Sequence, residues 1–384
     1  MENLFNYNWE LCKLKEITER VKGNDGRMDL PTLTISAGQG WLNQKDRFSG
    51  NIAGKEQKNY TLLLKNELSY NHGNSKLAKY GAVFSLKTYE EALVPRVYHS
   101  FKSTKNSDPD FLEYIFATKK PDKDLGKLVS SGARMDGLLN INYDDFSNIK
   151  INIPHIHEQK KISNLLRKID NTITLHQRKL EQLKELKKAY LQVMFPVKDE
   201  GVPKLRFADF EEEWEQCKLE DLANKYNNLR IPITASKRIY GNTPYYGANG
   251  IQDFVEGYTH DGEFILVAED GASNLKDYPV QYVNGKVWVN NHAHVLQAKR
   301  SKADNKFLMN AIKSINIEPF LVGGGRSKLN SEVMMNLEIN TPSKDEQLKI
   351  STLCKQLDDI TALYQNKLNQ LKNLKKSYLQ NMFI

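Results

Sequence analysis

Pro154-His-Ile-His-Glu158-Gln159-Lys-Lys-Ile162 and Pro342-Ser-Lys-Asp-Glu346-Gln347-Leu-Lys-Ile350 open two stretches, ending at Phe195 and Phe383, that decide how this chain is built. Aligned at an offset of 188, the stretches share 23 of 42 residues. Each starts Pro-x-x-x-Glu-Gln, a helix start with acid in its first turn. Each ends Leu-Lys-Lys-x-Tyr-Leu-Gln-x-Met-Phe, at 186–195 and 374–383. Between the ends, apolar positions step by fours and threes: Ile162, Leu166, Ile169, Ile173, His176, Leu180 and Leu183 in one copy. The other copy gives Ile350, Cys354, Leu357, Thr361, Tyr364, Leu368 and Leu371. No Pro or Gly interrupts either run, so the pattern predicts one long amphipathic helix per copy. At 1.5 Å per residue each helix is about 57 Å long. Such a stripe needs a partner, and the two helices are expected to pack on each other through these seams.

The duplication extends beyond the helices. Phe5-x-x-x-Trp9-Glu10-x-Cys12-Lys13-Leu14 returns as Phe210-x-x-x-Trp214-Glu215-x-Cys217-Lys218-Leu219. Each repeat therefore has an opening motif, a variable body and a closing helix, and the letters diverge in the bodies. One scaffold presenting two unlike surfaces is the simplest reading. In the first body, residues 33–35, 61–64 and 82–86 read as strands, 92–98 as an edge strand limited by Pro95, and 110–117 as a short helix. In the second, 264–268 and 287–289 read as strands and 306–314 as a short helix. Near the ends Phe111-Leu112 matches Phe307-Leu308, and a Gly-containing loop follows in each (Gly132-Ala133-Arg134 and Gly324-Gly325-Arg326), so the bodies are expected to share a fold. Residues 197–207, with Pro203, read as a linker.

The 384 residues are long enough for two domains or more. No apolar run approaches the ~20 residues that span a bilayer, and no leader is evident, so a cytoplasmic location is expected. Three cysteines without a Cys-x-x-Cys imply neither disulfides nor zinc. The net charge of +8 lies wholly on the two helical stretches, +5 on 158–195 and +3 on 346–383. A basic balance points to nucleic acid, but any reading surface in the bodies must then be a local patch.

Several fragments fall short of catalytic motifs. Asn242-Thr243-Pro244-Tyr245 resembles the Asn-Pro-Pro-Tyr box of amino-methyltransferases, with Thr243 in place of the first proline and no Gly-rich cofactor loop ahead of it. Pro109-Asp110-x-x-Glu113-x-Ile115 has Ile115 where a nuclease core needs lysine. His292 and His294 lack a third metal ligand. Gly323-Gly324-Gly325 lacks the Gly-Lys-Ser/Thr of a P-loop. More suggestive are polar and aromatic loop clusters, because amides and guanidinium groups make bidentate contacts to purine edges in the major groove. In the first body these supply Gln44, Lys45, Arg47, Arg96, Lys102 and Arg134 as candidate DNA-binding residues. In the second they supply Tyr245, Asn249, Ser273, Asn274, Asn291, His292, Arg326 and Lys328. Arg326 and Lys328, beside the glycines, are expected to hold backbone phosphate.

The whole arrangement resembles the specificity subunit of a type I restriction–modification system. The Pro-x-x-x-Glu-Gln-x-x-Ile helix starts at Pro154 and Pro342, the Phe-x-x-x-Trp-Glu openings at Phe5 and Phe210, and the two variable bodies carry that resemblance. A Pro-x-Leu-Arg-Phe lead-in at Pro203 has no counterpart before Trp9. The resemblance implies an α+β fold: two mixed α/β target-recognition domains, each reading half of a bipartite duplex DNA target, joined by two long antiparallel coiled-coil helices in a pseudo-two-fold repeat. The expected segments are 1–153 and 210–341 for the recognition domains, 154–196 and 342–384 for the helices, and 197–209 for the linker. It further implies a non-catalytic chain that recruits two methyltransferase and two restriction/translocase subunits. S-adenosylmethionine, ATP and Mg would sit on those partners, with no cofactor, metal or membrane contact here.

Overall fold

The computed structural model describes residues 9–48, 54–129, 138–197, 200–324 and 326–383. The chain divides into two compact units, one formed by residues up to 175 together with 367 onward, the other by 176–366. Each unit thus contains one body, the first half of the long helix that follows that body, and the last part of the other long helix.

Both long helices form, at Ile156–Val193 and Lys344–Asn381, 38 residues each. They begin two residues after Pro154 and Pro342 and end two residues before Phe195 and Phe383, because Met194-Phe195 and Met382-Phe383 leave the helix to enter a core. Within the first unit the helical segments run antiparallel: Asp170 takes an ion pair from Lys375 at 2.6 Å, while Ile162 and Leu166 share a core with Phe383. Within the second, His176 meets Tyr364 at 5.5 Å between rings, and Lys187 pairs with Asp358 at 2.6 Å.

Of the seam positions, Ile162, Leu166, Ile169, Leu180, Leu183, Ile350, Leu357 and Leu368 are buried, whereas Ile173 and Leu371 are half-buried. The packing differs from a plain coiled coil at the helix starts. Ile162 and Leu166 belong to the core of the first body, and Ile350 and Cys354 to that of the second. The same apolar period serves a sheet-and-helix body first and a partner helix later, and period alone does not separate the two.

The opening and closing strands of each body pair with one another. Glu10–Lys13 lies antiparallel to Lys150–Ile153, and Glu215–Lys218 to Glu338–Thr341. Inside the first body, Thr18–Val21, His99–Ser103, Leu68–Asn71 and Ala82–Ser85 form an antiparallel sheet in that order. Inside the second, Ala223–Lys225, Ala293–Ala298, His260–Ala268 and Val280–Val289 repeat the order. The shared fold expected for the bodies is therefore a four-stranded core. The bodies differ in what is inserted after the first strand. The second body adds the hairpin Tyr240–Gly247 and Gly250–Val255, which joins the sheet through a parallel contact, Tyr245 beside Trp288. The first body instead adds the hairpin Leu33–Ser36 and Gly40–Asn43 and the pair Thr61–Leu64 and Glu91–Val94. That last strand stops just before Pro95, which has no N–H for a ladder.

A helix packs on each sheet, Pro109–Ala117 in one body and Asn305–Ser314 in the other. Asp108 and Asp304 cap them, each carboxylate accepting from the backbone N–H of Phe111 or Phe307 at 2.9 Å. The repeated Glu-Gln motif acts here. Gln159 and Gln347 are 0% and 1% exposed. Gln159 Oε1 accepts from the Asp108 backbone N–H at 3.0 Å, and its Nε2 donates to the carbonyls of Pro154 (2.8 Å) and Asn106 (3.1 Å). Gln347 repeats this with Asp304 (2.9 Å), Pro342 (2.9 Å) and Lys302 (3.2 Å). The motif is thus a clamp between helix start and body, beyond the dipole partner the sequence suggested.

Residues 200–209 do not form a free linker. Pro203 is buried, the Leu205 N–H returns to the Val193 carbonyl at 2.9 Å, and Arg206 grips both carboxylate oxygens of Glu346 at 2.8 Å. No helix among the described residues is long and apolar enough to cross a membrane.

Candidate nucleic-acid interface

In the second body, loops far apart in sequence meet at one end of the sheet. Asn249, at the turn of the inserted hairpin, donates to the Gly271 carbonyl at 2.9 Å and accepts from the Ser273 backbone N–H at 2.7 Å. The Asn274 carboxamide oxygen accepts from the Lys276 N–H at 3.0 Å and stabilises the same loop. Asp270, at its start, accepts from His292 Nδ1 at 2.6 Å and from Arg326 Nη2 at 3.0 Å. Val322 and Lys328 close the glycine loop with two backbone hydrogen bonds of 2.9 Å. A further bond of 2.7 Å, from the Leu329 N–H to the Glu269 carbonyl, ties that loop to the 269–274 loop. Asn249, Ser273, Asn274, Asn291, His292, Arg326 and Lys328, drawn from four separate stretches, therefore stand on one connected surface.

Each cation of this surface lies on a carboxylate, three (Arg230, Arg326 and Lys328) sharing two (Glu269 and Asp270). Glu269 lies between Lys328 (2.8 Å) and Arg230 (2.6 Å), and Arg326 lies on Asp270. Burial pushes the Glu269 carboxyl up, but hydrogen bonds from Arg230 and Lys328 outweigh it and leave the group below its ordinary value. The bond to Glu269 raises the Lys328 ammonium. His294 is 1% exposed; its Nε2 donates to the Leu329 carbonyl at 2.8 Å, and Asn227 Nδ2 lies 2.9 Å from its Nδ1. Burial holds its imidazole below the usual value. His292 and His294 thus serve two different networks. Among the described residues no group of three His, Cys, Asp or Glu could hold a metal ion.

Two expected contacts are corrected by burial. Tyr245 is 1% exposed and its hydroxyl is held by the backbone of Ile233 at 3.0 Å, with the Arg238 guanidinium 4.2 Å above its ring. It supports the hairpin from beneath and cannot touch a ligand. Gln44 is 2% exposed, because the turn after Gly40–Asn43 directs it back towards the Leu33 carbonyl. An amide in a polar loop cluster reads alike whether it faces in or out, so sequence could not separate these cases.

The remaining first-body candidates fall into two places. Lys45 and Arg47 are exposed on the short helix Gln44–Phe48. Arg96 is exposed on the turn that follows Pro95. Tyr98 ties that turn to the adjacent hairpin, its hydroxyl 3.0 Å from Thr34 Oγ1. Lys102 instead lies on the four-stranded sheet, paired with Glu19 at 3.1 Å. Arg134, with Gly132 and Ala133, lies outside the described residues, as does Gly325. Sequence reading missed Arg230, Glu269, Asp270 and Asn290, which hold the second-body loops together. Asp270 lies three residues before Ser273 in the same loop.

The profile of the type I restriction modification DNA specificity domain matches residues 6–185 and 211–373. A putative type I restriction enzyme specificity subunit of Haemophilus influenzae is 46% identical over 153 residues, covering 40% of this chain and 38% of that protein. Another from Methanocaldococcus jannaschii is 22% identical over 97% of this chain and 92% of its own length. Among solved structures, the type I restriction–modification S subunit from M. genitalium superposes with a TM-score of 0.69 at 15% identity, covering 100% of this chain and 98% of that one. With two matched segments that each span a body and most of its long helix, the chain belongs to the type I restriction–modification DNA specificity family.

Proposed function

We propose that this chain is the DNA-recognition subunit of a type I restriction–modification complex and is not itself catalytic. Each body reads one part of a bipartite duplex target, and the long helices hold the spacing. Methyltransferase and restriction/translocase subunits assemble on the frame, carrying S-adenosylmethionine, ATP and Mg, in the cytoplasm. In the first body Lys45, Arg47, Arg96, Lys102 and Arg134 are the candidate contacts. In the second they are Asn249, Ser273, Asn274, Asn291, His292, Arg326 and Lys328. The observation that carries this reading is the pairing of a duplicated frame with unlike insertions, one of which meets neighbouring loops on an exposed surface of amide, hydroxyl and guanidinium groups. Such groups suit the donor and acceptor pattern of the major groove.

The test is a body exchange. Replacing residues 15–150 with the corresponding body of another family member, in a host that also expresses the partner subunits, changes one half of the methylated motif and leaves the other half intact. A change in both halves refutes independent reading. Binding of the chain to duplex DNA that does not weaken as salt rises refutes a DNA role altogether, since phosphate contacts release counterions.

A further inference from the structure

We propose that Arg326 reads the edge of a guanine, held in position by Asp270, rather than gripping backbone phosphate. The proposal rests on the DNA-recognition reading above and assigns one base contact within it.

Three features of the second body carry it. Asp270 receives both its donors, His292 Nδ1 at 2.6 Å and Arg326 Nη2 at 3.0 Å, on the single oxygen Oδ1. His292 in turn is fixed by its backbone N–H on Asn290 Oδ1 at 2.8 Å. The carboxylate oxygen therefore holds the imidazole and the guanidinium side by side, with Nη2 3.3 Å from His292 Nδ1. Second, the guanidinium lies against the backbone of Gly271, which has φ +66°; a Cβ there would stand 3.4 Å from Arg326 Nε. Asp270 and Gly271 together make a floor and a stop for a side chain that is still 62% exposed. Among the described residues only Nη2 of the fork is hydrogen-bonded, which leaves Nη1 without a partner.

Charge decides between the two possible ligands. A phosphate approaching Arg326 would also approach the Asp270 carboxylate bound to it, and the attraction and repulsion largely offset each other. Lys328 lies on Glu269 at 2.8 Å, a carboxylate it shares with Arg230. A guanine edge carries no net charge but offers O6 and N7 as adjacent acceptors, the pair that a guanidinium fork matches bidentately. The carboxylate repels its partial charges far less than it repels the full charge of a phosphate. Oδ2 of Asp270, unpartnered among the described residues, can accept from the N4 amino group of a cytosine nearby. A fixed guanidinium also loses less rotamer freedom on binding than a free one.

The experiment presents the chain, assembled with its methyltransferase partner, with a pool of randomised duplexes and sequences the retained fraction. The expected result for Arg326→Ala and Arg326→Lys is loss of preference at one G·C position, by about tenfold, with every other position and the other half of the motif unchanged. Asp270→Asn relaxes the same position in part, because the fork survives while its orientation weakens. Retention that falls equally for all sequences with the motif intact assigns Arg326 to phosphate and overturns the proposal alone. A wild-type complex that retains no motif overturns the recognition reading itself. Because the Arg326 side chain is largely exposed, neither variant threatens the fold.

Discussion

Replacing Gln347 with Leu removes a clamp whose strength the geometry allows to be worked out. The side chain is 1% exposed and satisfies three backbone groups: the Asp304 N–H and the carbonyls of Pro342 and Lys302. Leucine fills nearly the same space, so little packing is lost and the effect is that of orphaned polar groups. The Pro342 carbonyl is fully sealed, whereas the other two sit near enough to the surface to regain water in part. At about 1–3 kcal/mol for a buried group left unpaired, the expected loss is roughly 2–4 kcal/mol. Gln347→Glu is expected to be worse still at neutral pH. It keeps an acceptor for Asp304 but turns a carboxylate towards two carbonyl oxygens.

Native-state hydrogen exchange read by mass spectrometry resolves the effect by region. The loss should appear in the second unit, around residues 300–310 and the first turns of Lys344–Asn381. Gln159→Leu should produce the same loss in the first unit, around Pro109–Ala117. The clamp reading fails if Gln347→Leu lowers local opening energies by less than about 1 kcal/mol, within the cost of an ordinary surface change. It fails equally if the Glu variant is no worse than the Leu variant.

Other expectations follow from individual contacts. Glu346→Ala strands Arg206, whose side chain is 12% exposed, and should cost about 2 kcal/mol more than Glu158→Ala in urea unfolding, because Glu158 has no ion pair among the described residues. Equal losses would show that the Arg206 grip contributes nothing. His99 gives the first body a pH dependence. Burial, with only partial opposition from its hydrogen bond to Ile141, lowers its imidazole from 6.5 to about 4. The ring is neutral when folded, so its contribution is complete above the unfolded value near 6.5 and is lost as pH falls towards about 4. Allowing for partial exposure this amounts to about 2 kcal/mol. Urea midpoints measured by circular dichroism should fall less steeply from pH 7 to 4.5 in His99→Gln than in the unmutated chain, and parallel slopes would contradict the assignment.

The frame was legible in sequence because its physics is periodic or duplicated. The helices announced themselves by an unbroken apolar step, and the opening motifs by repetition. Pro95 is rightly a limit, but the strand expected over 92–98 ends before it, at Val94. What the repeat could not convey was purpose: Gln159 and Gln347 looked like ordinary residues of a helix start, yet they are sealed against capping aspartates some 50 residues upstream in one repeat and 43 in the other. The candidate interface was legible only as a set of loop clusters. Asn249 and Ser273 meet through a long-range hydrogen bond, and Tyr245 is inward-facing on the same hairpin as Asn249. Alternation within an irregular strand, with register shifts beside Tyr245, cannot be phased from sequence.

Several residues that match between the repeats stand at contacts between helix and body, and this helps explain how one scaffold can tolerate two unlike surfaces. In the first unit Trp9, Phe111 and Phe383 form a triad, with ring centroids 5.2 to 6.2 Å apart. In the second, Trp214, Phe307 and Phe195 form its counterpart at 5.6 to 5.9 Å. Each triad takes its tryptophan from an opening motif, one phenylalanine from the body helix and the other from the end of the long helix that follows the other body. Beside each triad stands a glutamine clamp, and strand pairing between the opening and closing segments completes the seal. These contacts use the body helix, the opening and closing strands and the ends of the long helices. The inserted hairpins lie elsewhere in the sheet order and carry none of them. Substitutions within the insertions and in the loops that meet them can therefore alter the exposed amides and guanidinium groups without touching the triads or clamps, whereas a change at a triad residue disturbs a body and the end of a long helix together.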